Sequence, residues 1–251
     1  MTIKLPKIYT KELWEKGGSV EEHKKFIGKY YLSWSQIESY RDKLGFNTGL
    51  LGKFEYFLKY FSGYSFHDMG WATFGSEVEN YITLRQDADK FTEKEKKVLD
   101  TIKPIGVFQT EIIFHVKDLD VIVIGYVDDH SPIVDSKIAL LRDYKTKSES
   151  SKKDLHDDKK HQIEIYINGF KQKGIEVEKA EYCIIERFGG KECMAGGGRE
   201  ALYVGERVWY EPYSWDAGRL KETERIIKET VIEISEYYKV FLKYFGDKAN
   251  N

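Results

Sequence analysis

Apolar positions along the chain follow two periods, and the change from one to the other divides it. Up to about residue 104 the spacing is helical. Short helices are expected over 11–14 and 20–27. The stretch Leu32-Ser33-Trp34-Ser35-Gln36-Ile37-Glu38-Ser39-Tyr40 opens another, with Ser33 or Ser35 as its N-cap and Ile37 and Tyr40 starting its apolar stripe. An aromatic-rich helix is expected over 54–61. Phe74, Val78, Tyr81 and Ile82 carry one over 71–84, and a polar helix over 93–102 ends before Pro104.

Beyond Pro104 the period becomes that of strands. Residues 107–116 and 121–128 are rich in β-branched side chains and are separated by a turn-like Asp118–Asp120, so they predict a hairpin. A third strand is expected over 138–145, a charged loop over 147–160, and a helix over 161–173 closed by Gly174. Strands over 180–187 and 202–210 flank a glycine-rich connector at 189–198, and a long helix runs over 220–245. The expected fold class is α/β, with a central mixed β-sheet flanked by helices. One domain is expected over 1–251, with a helical part to about 104, a sheet core over about 105–210 and a C-terminal helix over about 216–246.

Composition narrows the function. The 251 residues are 41% hydrophobic and 33% charged, an ordinary balance for a folded chain, and the net charge of −2 gives no overall basic signature. Contact with nucleic acid would need a local basic patch. The 18 Tyr and 14 Phe point first to a packed core and also offer faces on which bases could stack. Cys183 and Cys193 are too few for a disulfide scaffold or an iron–sulfur cluster and are read as reduced thiols. The N-terminus has no apolar leader, and no apolar run nears the ~20 residues of a membrane span, so a cytoplasmic protein is expected.

The chemistry concentrates in Gly125-Tyr126-Val127-Asp128 and, fifteen positions on, Asp143-Tyr144-Lys145. Residues two apart on a strand share a face, so Asp143 and Lys145 point one way and Tyr144 the other. Asp128 ends the preceding strand and lies beside them if the two strands pair. Two carboxylates and an ammonium then share a site. Clustered carboxylates suit a hard divalent ion such as Mg2+ or Mn2+, which lowers the pKa of bound water and stabilises an in-line displacement at phosphorus. A lysine there can orient or deprotonate the water, or neutralise the phosphate. A third carboxylate is expected from Gly75-Ser76-Glu77-Val78-Glu79. Glu77 and Glu79 face different sides of a helix, so only one joins, and the chemistry does not choose between them. Gln162 and Tyr166 share a helix face at i, i+4.

These residues resemble the PD-(D/E)XK nuclease superfamily, in particular its RecB-like exonuclease branch. The family's helix motif, Gly-x-x-Asp strand end, Asp-x-Lys strand and Gln-x-x-x-Tyr helix correspond here to Gly75…Glu79, Gly125…Asp128, Asp143-Tyr144-Lys145 and Gln162…Tyr166, in that order. The opening Leu32-Ser33-Trp34-Ser35…Tyr40 matches the family's start. The resemblance covers about 32–166 and implies a restriction-endonuclease-like core. It implies Glu79, Asp128 and Asp143 as metal ligands, with the carbonyl of Tyr144 beside them, and Lys145 as the catalytic lysine. Gln162 and Tyr166, with Lys147, would support the site or contact DNA. It further implies an Mg2+- or Mn2+-dependent deoxyribonuclease, more an exonuclease than a restriction-type endonuclease. Such an enzyme would work in DNA recombination, repair or phage DNA processing, as a homo-oligomer or beside a separate helicase or recombination protein. An inactive DNA-binding or complex-forming module on the same fold is the alternative. No Gly-x-x-x-x-Gly-Lys-Ser/Thr loop is present, and the relatives' four cysteines are missing.

Other features read more simply. Lys147, Lys152, Lys153, Lys159 and Lys160 alternate with Asp154, Asp157 and Asp158, as a solvated loop does. His156 and His161 fit surface positions. Gly196-Gly197-Gly198 lacks the strand-to-helix context of a nucleotide loop and fits a hairpin tip.

Overall fold

The computed structural model of the protein describes residues 2–46, 70–148, 161–189 and 199–245. The helix expected over 54–61, most of the charged segment 147–160, Cys193 and the glycines at 196–198 lie outside the described residues.

The first helices start where their caps put them. Helix α1 (Lys11–Lys16) begins at Thr10, whose side chain accepts from the Leu13 N–H, and the expected helix over 20–27 is a 3-10 turn over Glu21–Phe26. Helix α2 (Trp34–Phe46) is capped by Ser33: its Oγ accepts from the Gln36 N–H at 3.3 Å, and Gln36 Oε1 accepts from the Ser33 N–H at 2.8 Å. Helix α3 covers Gly70–Leu84. Helix α4 (Glu93–Leu99) carries a reciprocal box between Thr92 and Glu95. It stops short of the expected 102, because the Thr101 hydroxyl takes the Val98 carbonyl at 2.6 Å and the last amides tighten to i−3 bonds.

Strands β2 (Val107–Val116) and β3 (Val121–His130) form the expected antiparallel hairpin, turned by a 3-10 segment at Lys117–Leu119 and a left-handed Asp120. Two features depart from expectation. The first is β1 (Tyr30–Ser33), which pairs parallel with Val121–Ile124. Four residues leading into a helix give no local sign of a partner about 90 positions away. The second is the expected strand over 138–145, which splits. Lys137–Ile138 (β4) pairs with Glu176–Val177 (β6) in a separate two-stranded sheet, and β5 runs over Leu141–Ser148. The split falls where Ser131 Oγ captures the amides of Ala139 at 2.8 Å and Leu140 at 3.3 Å, which removes them from any ladder. Helix α5 (Gln162–Gln172), β7 (Ala180–Phe188), β8 (Tyr203–Tyr213) and α6 (Ala217–Phe245) follow, with Gly174 in the left-handed region after α5.

The result is an α/β fold around a six-stranded mixed sheet. Its two faces carry different helices. Leu32, Val121, Val123 and Ile165 pack with the α6 stripe Ile227, Val231, Ile234, Tyr238 and Phe241, while Val127, Leu141 and Ile184 pack on α5 through Ile163, Tyr166 and Phe170. On the other face Tyr144, Cys183 and Ile185 meet Phe74, Val78 and Ile82 of α3, and Ile113, Ile122 and Ile124 meet Tyr9 and Phe26 of the N-terminal segment. Each fully buried large apolar side chain contributes on the order of 2 kcal/mol, so the α6 stripe alone ties that helix firmly to the sheet.

The topology matters most at β3. Strand β2 takes one of its edges along the whole length. A strand has two edges, so β1 at Val121–Ile124 and β5 at Asp129–His130 share the other. Between them Gly125–Asp128 have no strand neighbour on that edge. The sheet forks there.

Candidate functional site

The acidic residues collect at the fork. Pairing of β3 with β5 stops at Asp129↔Arg142, one step before Asp128 would face Asp143. In place of a ladder bond, the Tyr144 N–H donates to Asp128 Oδ2 at 2.8 Å. On the opposite edge of β3 the ladder also skips a pair: Phe108↔Asp129 and Thr110↔Val127 are in register, but Gln109 does not pair with Asp128. Gln109 has φ +49°, a left-handed conformation inside a strand. For a residue other than glycine this costs about 1–3 kcal/mol.

Asp143 and Lys145 lie on the α5 face, as their two-residue spacing requires, and Tyr144 lies on the α3 face. Asp143 is fully buried, and Lys145 Nζ is 2.5 Å from its Oδ2. The ammonium also donates to Gln162 Oε1 at 3.1 Å, and the Gln162 amide donates to Tyr166 Oη at 2.5 Å. One turn of α5 thus holds the lysine head by a glutamine that is itself held by a tyrosine. The Tyr166 ring fills the gap in the fork: a Cβ on Gly125 would lie 2.6 Å from Tyr166 Cε1, so any larger residue here must displace the ring.

Glu79 joins from α3. The Gln109 amide donates to its Oε1. Glu77 turns away, paired with Arg199, which also lies over the Phe74 and Phe91 rings. The two glutamates that the sequence left level are therefore separated by place. Asp129, next to Asp128, is saturated instead: it accepts from the amides of Ile105 at 2.7 Å and Gly106 at 3.0 Å and from the Tyr144 hydroxyl at 2.8 Å. It fastens the entry of β2.

The electrostatics follow from this crowding. Burial, then the charge of Asp143, pushes the Glu79 carboxyl up to about 7. Burial, then Asp143 and Glu79, pushes Asp128 well above the usual carboxylate range. Burial works to lower the Lys145 ammonium, but Asp143 and Asp128 outweigh it and its pKa is raised. Burial and the same two aspartates raise the Tyr166 hydroxyl. Glu38 of α2 adds to the field on Lys145. Neither Glu38 nor Gln109 was given a role by the sequence. Glu38 lay inside a quoted motif, while Gln109 carries no signal in a strand pattern.

Both oxygens of Asp143 are buried and accept no aligned hydrogen bond from the described residues. A buried carboxylate in that condition is costly, and a cation is the usual remedy. The donor set of Asp143, Asp128, Glu79 and the Tyr144 carbonyl is all oxygen, which fits Mg2+ or Mn2+. Among the described residues no group of three His, Cys, Asp or Glu side chains is arranged to hold a metal ion. The reason is local. Lys145 occupies Asp143, the Tyr144 N–H occupies Asp128, and Gln109 occupies Glu79.

Lys147 is on the same face as Lys145 and lines a hollow of about 640 Å3 with Arg207, Trp209 and Glu211. A second hollow of about 690 Å3, lined by Lys94, Glu186, Phe188, Tyr203 and Arg207, contains none of the fork acids. Its cations are matched by its own acids, Lys94 with Glu206 at 2.7 Å and Arg207 with Glu186, so shape alone does not make it the chemical site. His161 is buried beside Thr223 at 2.8 Å, against the surface position expected for it. Cys183 is a buried free thiol. No described helix is long and apolar enough to cross a membrane. No known family model matches the sequence, and no curated protein matches it either.

Proposed function

We propose that this protein is a divalent-metal-dependent nuclease that hydrolyses phosphodiester bonds in DNA, with a restriction-endonuclease-like core of the PD-(D/E)XK type. One observation carries the reading: the fully buried Asp143 has two oxygens without aligned donors, beside Lys145 and within the fields of Asp128 and Glu79. Mutual repulsion among three carboxylates in a sheet fork weakens the fold, and a purely structural role does not call for it. Asp129, one residue away, is what a structural acid looks like.

Asp143, Asp128, Glu79 and the Tyr144 carbonyl would hold Mg2+ or Mn2+. Bound there, the ion supplies an acidified water and neutralises charge on the phosphodiester. Lys145, paired with Asp143 and held by Gln162, would act as a donor to a phosphate oxygen or to the attacking water. Gln162 and Tyr166 fix where that donor points. Lys147, two residues along the same face, is suited to a neighbouring phosphate.

The test is cleavage of linear and closed circular DNA with Mg2+ or Mn2+, using the wild type and Asp143→Ala. Ion-dependent cutting that falls about a thousandfold or more in the variant is expected, and loss of cutting on circles marks action at ends. A wild type that binds DNA but cuts neither substrate would replace the reading with that of a binding module.

A further inference from the structure

We infer that Gln109 is a positioning residue of the acidic site: its left-handed backbone in mid-strand aims its amide at Glu79 and frees Asp128 from the β-ladder. The inference rests on the nuclease reading and deepens it.

Three observations meet at this residue. It is the only position of the paired length of β2 where the ladder with β3 is skipped, and the residue it fails to pair with is Asp128. Its φ of +49° belongs to glycine, yet glutamine occupies it. Its side-chain amide donates to Glu79 Oε1, and Glu79 is the one candidate ligand that comes from a helix rather than from the sheet.

The ladder stays in register on both sides of the skipped pair, so the chain has not slipped and no residue has been inserted. Within β2, Gln109 is the one residue with a positive φ. In a regular strand Gln109 would point along the alternation between Phe108 and Thr110 and would leave its amide and carbonyl in the ladder opposite Asp128. The left-handed conformation gives up that pairing, and on the other edge β5 has already diverged, so Asp128 is outside the ladder along both edges, and its carboxylate lies at the fork with Oδ2 on the Tyr144 N–H. The side chain reaches α3 at Glu79. A neutral amide is suited to this task. Its N–H holds one oxygen of Glu79 without neutralising the carboxylate, whereas a lysine here would compete with a bound cation. Gln109 is exposed, so burial of its side chain does not explain its conformation.

A residue held in strain for the site makes stability and metal affinity move in opposite directions, which a structural residue would not do. The test uses the full chain and four proteins, the wild type, Gln109→Ala, Gln109→Gly and Asp143→Ala, with Mn2+ affinity read by calorimetry and melting temperature read in the absence of metal. Both Gln109 variants are expected to lose about tenfold or more in Mn2+ affinity, the usual effect of removing a group that orients a ligand. Gln109→Gly is expected to melt about 2–4 °C above Gln109→Ala, since only glycine relieves the left-handed backbone. Asp143→Ala should bind no Mn2+. Wild-type affinity in both folded variants would overturn the inference, as would a glycine variant no more stable than the alanine one. If Gln109→Ala fails to fold, Gln109→Gly against the wild type decides. A wild type that binds no Mn2+ would overturn this inference together with the nuclease reading, whereas tight wild-type binding with unaffected Gln109 variants overturns the inference alone.

Discussion

Two buried carboxylates of the same sheet sit in opposite chemical circumstances. Glu111 of β2 lies under the N-terminal segment and accepts from the Tyr9 hydroxyl at 3.0 Å and the Tyr126 hydroxyl at 3.1 Å, with His23 Nδ1 at 2.8 Å. Gly17 sits so close that a Cβ there would lie 2.1 Å from Glu111 Oε2. Its neighbours are two phenol hydroxyls and an imidazole from separate parts of the chain. Asp143 of β5 is equally buried but accepts no aligned hydrogen bond; the Lys145 ammonium lies 2.5 Å from its Oδ2, and Asp128 and Glu79 add repulsion. The first arrangement satisfies a buried charge and so fastens residues 2–33 to the sheet. The second pairs the buried charge with Lys145 on one oxygen and leaves the other oxygen without a donor, which has physical sense where a metal ion completes it. Burial and charge are the same in both; the supply of donors separates structure from chemistry.

The sharpest way to break the comparison is to remove each charge. Asp143→Asn should lower metal-dependent DNA cutting about a thousandfold while shifting stability by less than about 1 kcal/mol, because it also removes repulsion with Asp128 and Glu79. Glu111→Ala should do the reverse. It strands the buried Tyr9 hydroxyl and His23 imidazole in the core and should cost about 3–5 kcal/mol, roughly 6–20 °C in melting temperature, with activity per folded molecule unchanged. Thermal melts alongside the DNA assay check both, and matching effects for the two acids would remove the distinction.

Gly125→Ala tests the packing of the fork. The added methyl meets the Tyr166 ring, so a loss of about 1–3 kcal/mol is expected, with lower activity in the protein that remains folded, because Gln162 loses its support and Lys145 its aim. Denaturant unfolding and single-turnover cutting read the two parts separately.

The smallest effect concerns a third acid, Glu95, which bridges α4 and β8. Burial alone would raise its pKa, but bonds from the Thr92 hydroxyl and amide and from the Val204 N–H, 2.8 Å away, outweigh burial and lower it. A carboxyl with a depressed folded pKa stabilises above the unfolded pKa and loses that contribution as pH falls through the folded value. Glu95→Gln should therefore cost about 1 kcal/mol at pH 7 and progressively less below about pH 4, checked by melting temperature against pH.

Much of this was legible along the chain. The period change near Pro104, the hairpin of β2 and β3, the long C-terminal helix and the N-cap at Ser33 are local signals, and the structure carries them at or near the expected residues. The α/β class with its mixed sheet was legible for the same reason. Strand β1 was not, because it pairs with a strand about 90 residues away. Nor was the break at Ala139–Leu140, which depends on a serine from another segment.

The sequence by itself determined which residues alternate on β5, so that Asp143 and Lys145 share a face, and which pair one helical turn apart, so that Gln162 and Tyr166 do. Those relations are set by chain geometry within a few residues. Only the tertiary structure decided that Glu79 rather than Glu77 lies in the field of the aspartates, that Asp129 is fastened by three donors while Asp128 takes the Tyr144 N–H alone, and that Gln109 gives up a strand bond to reach a helix. Each of these outcomes depends on how many donors arrive from distant segments, and the folded arrangement of the sheet fixes that supply.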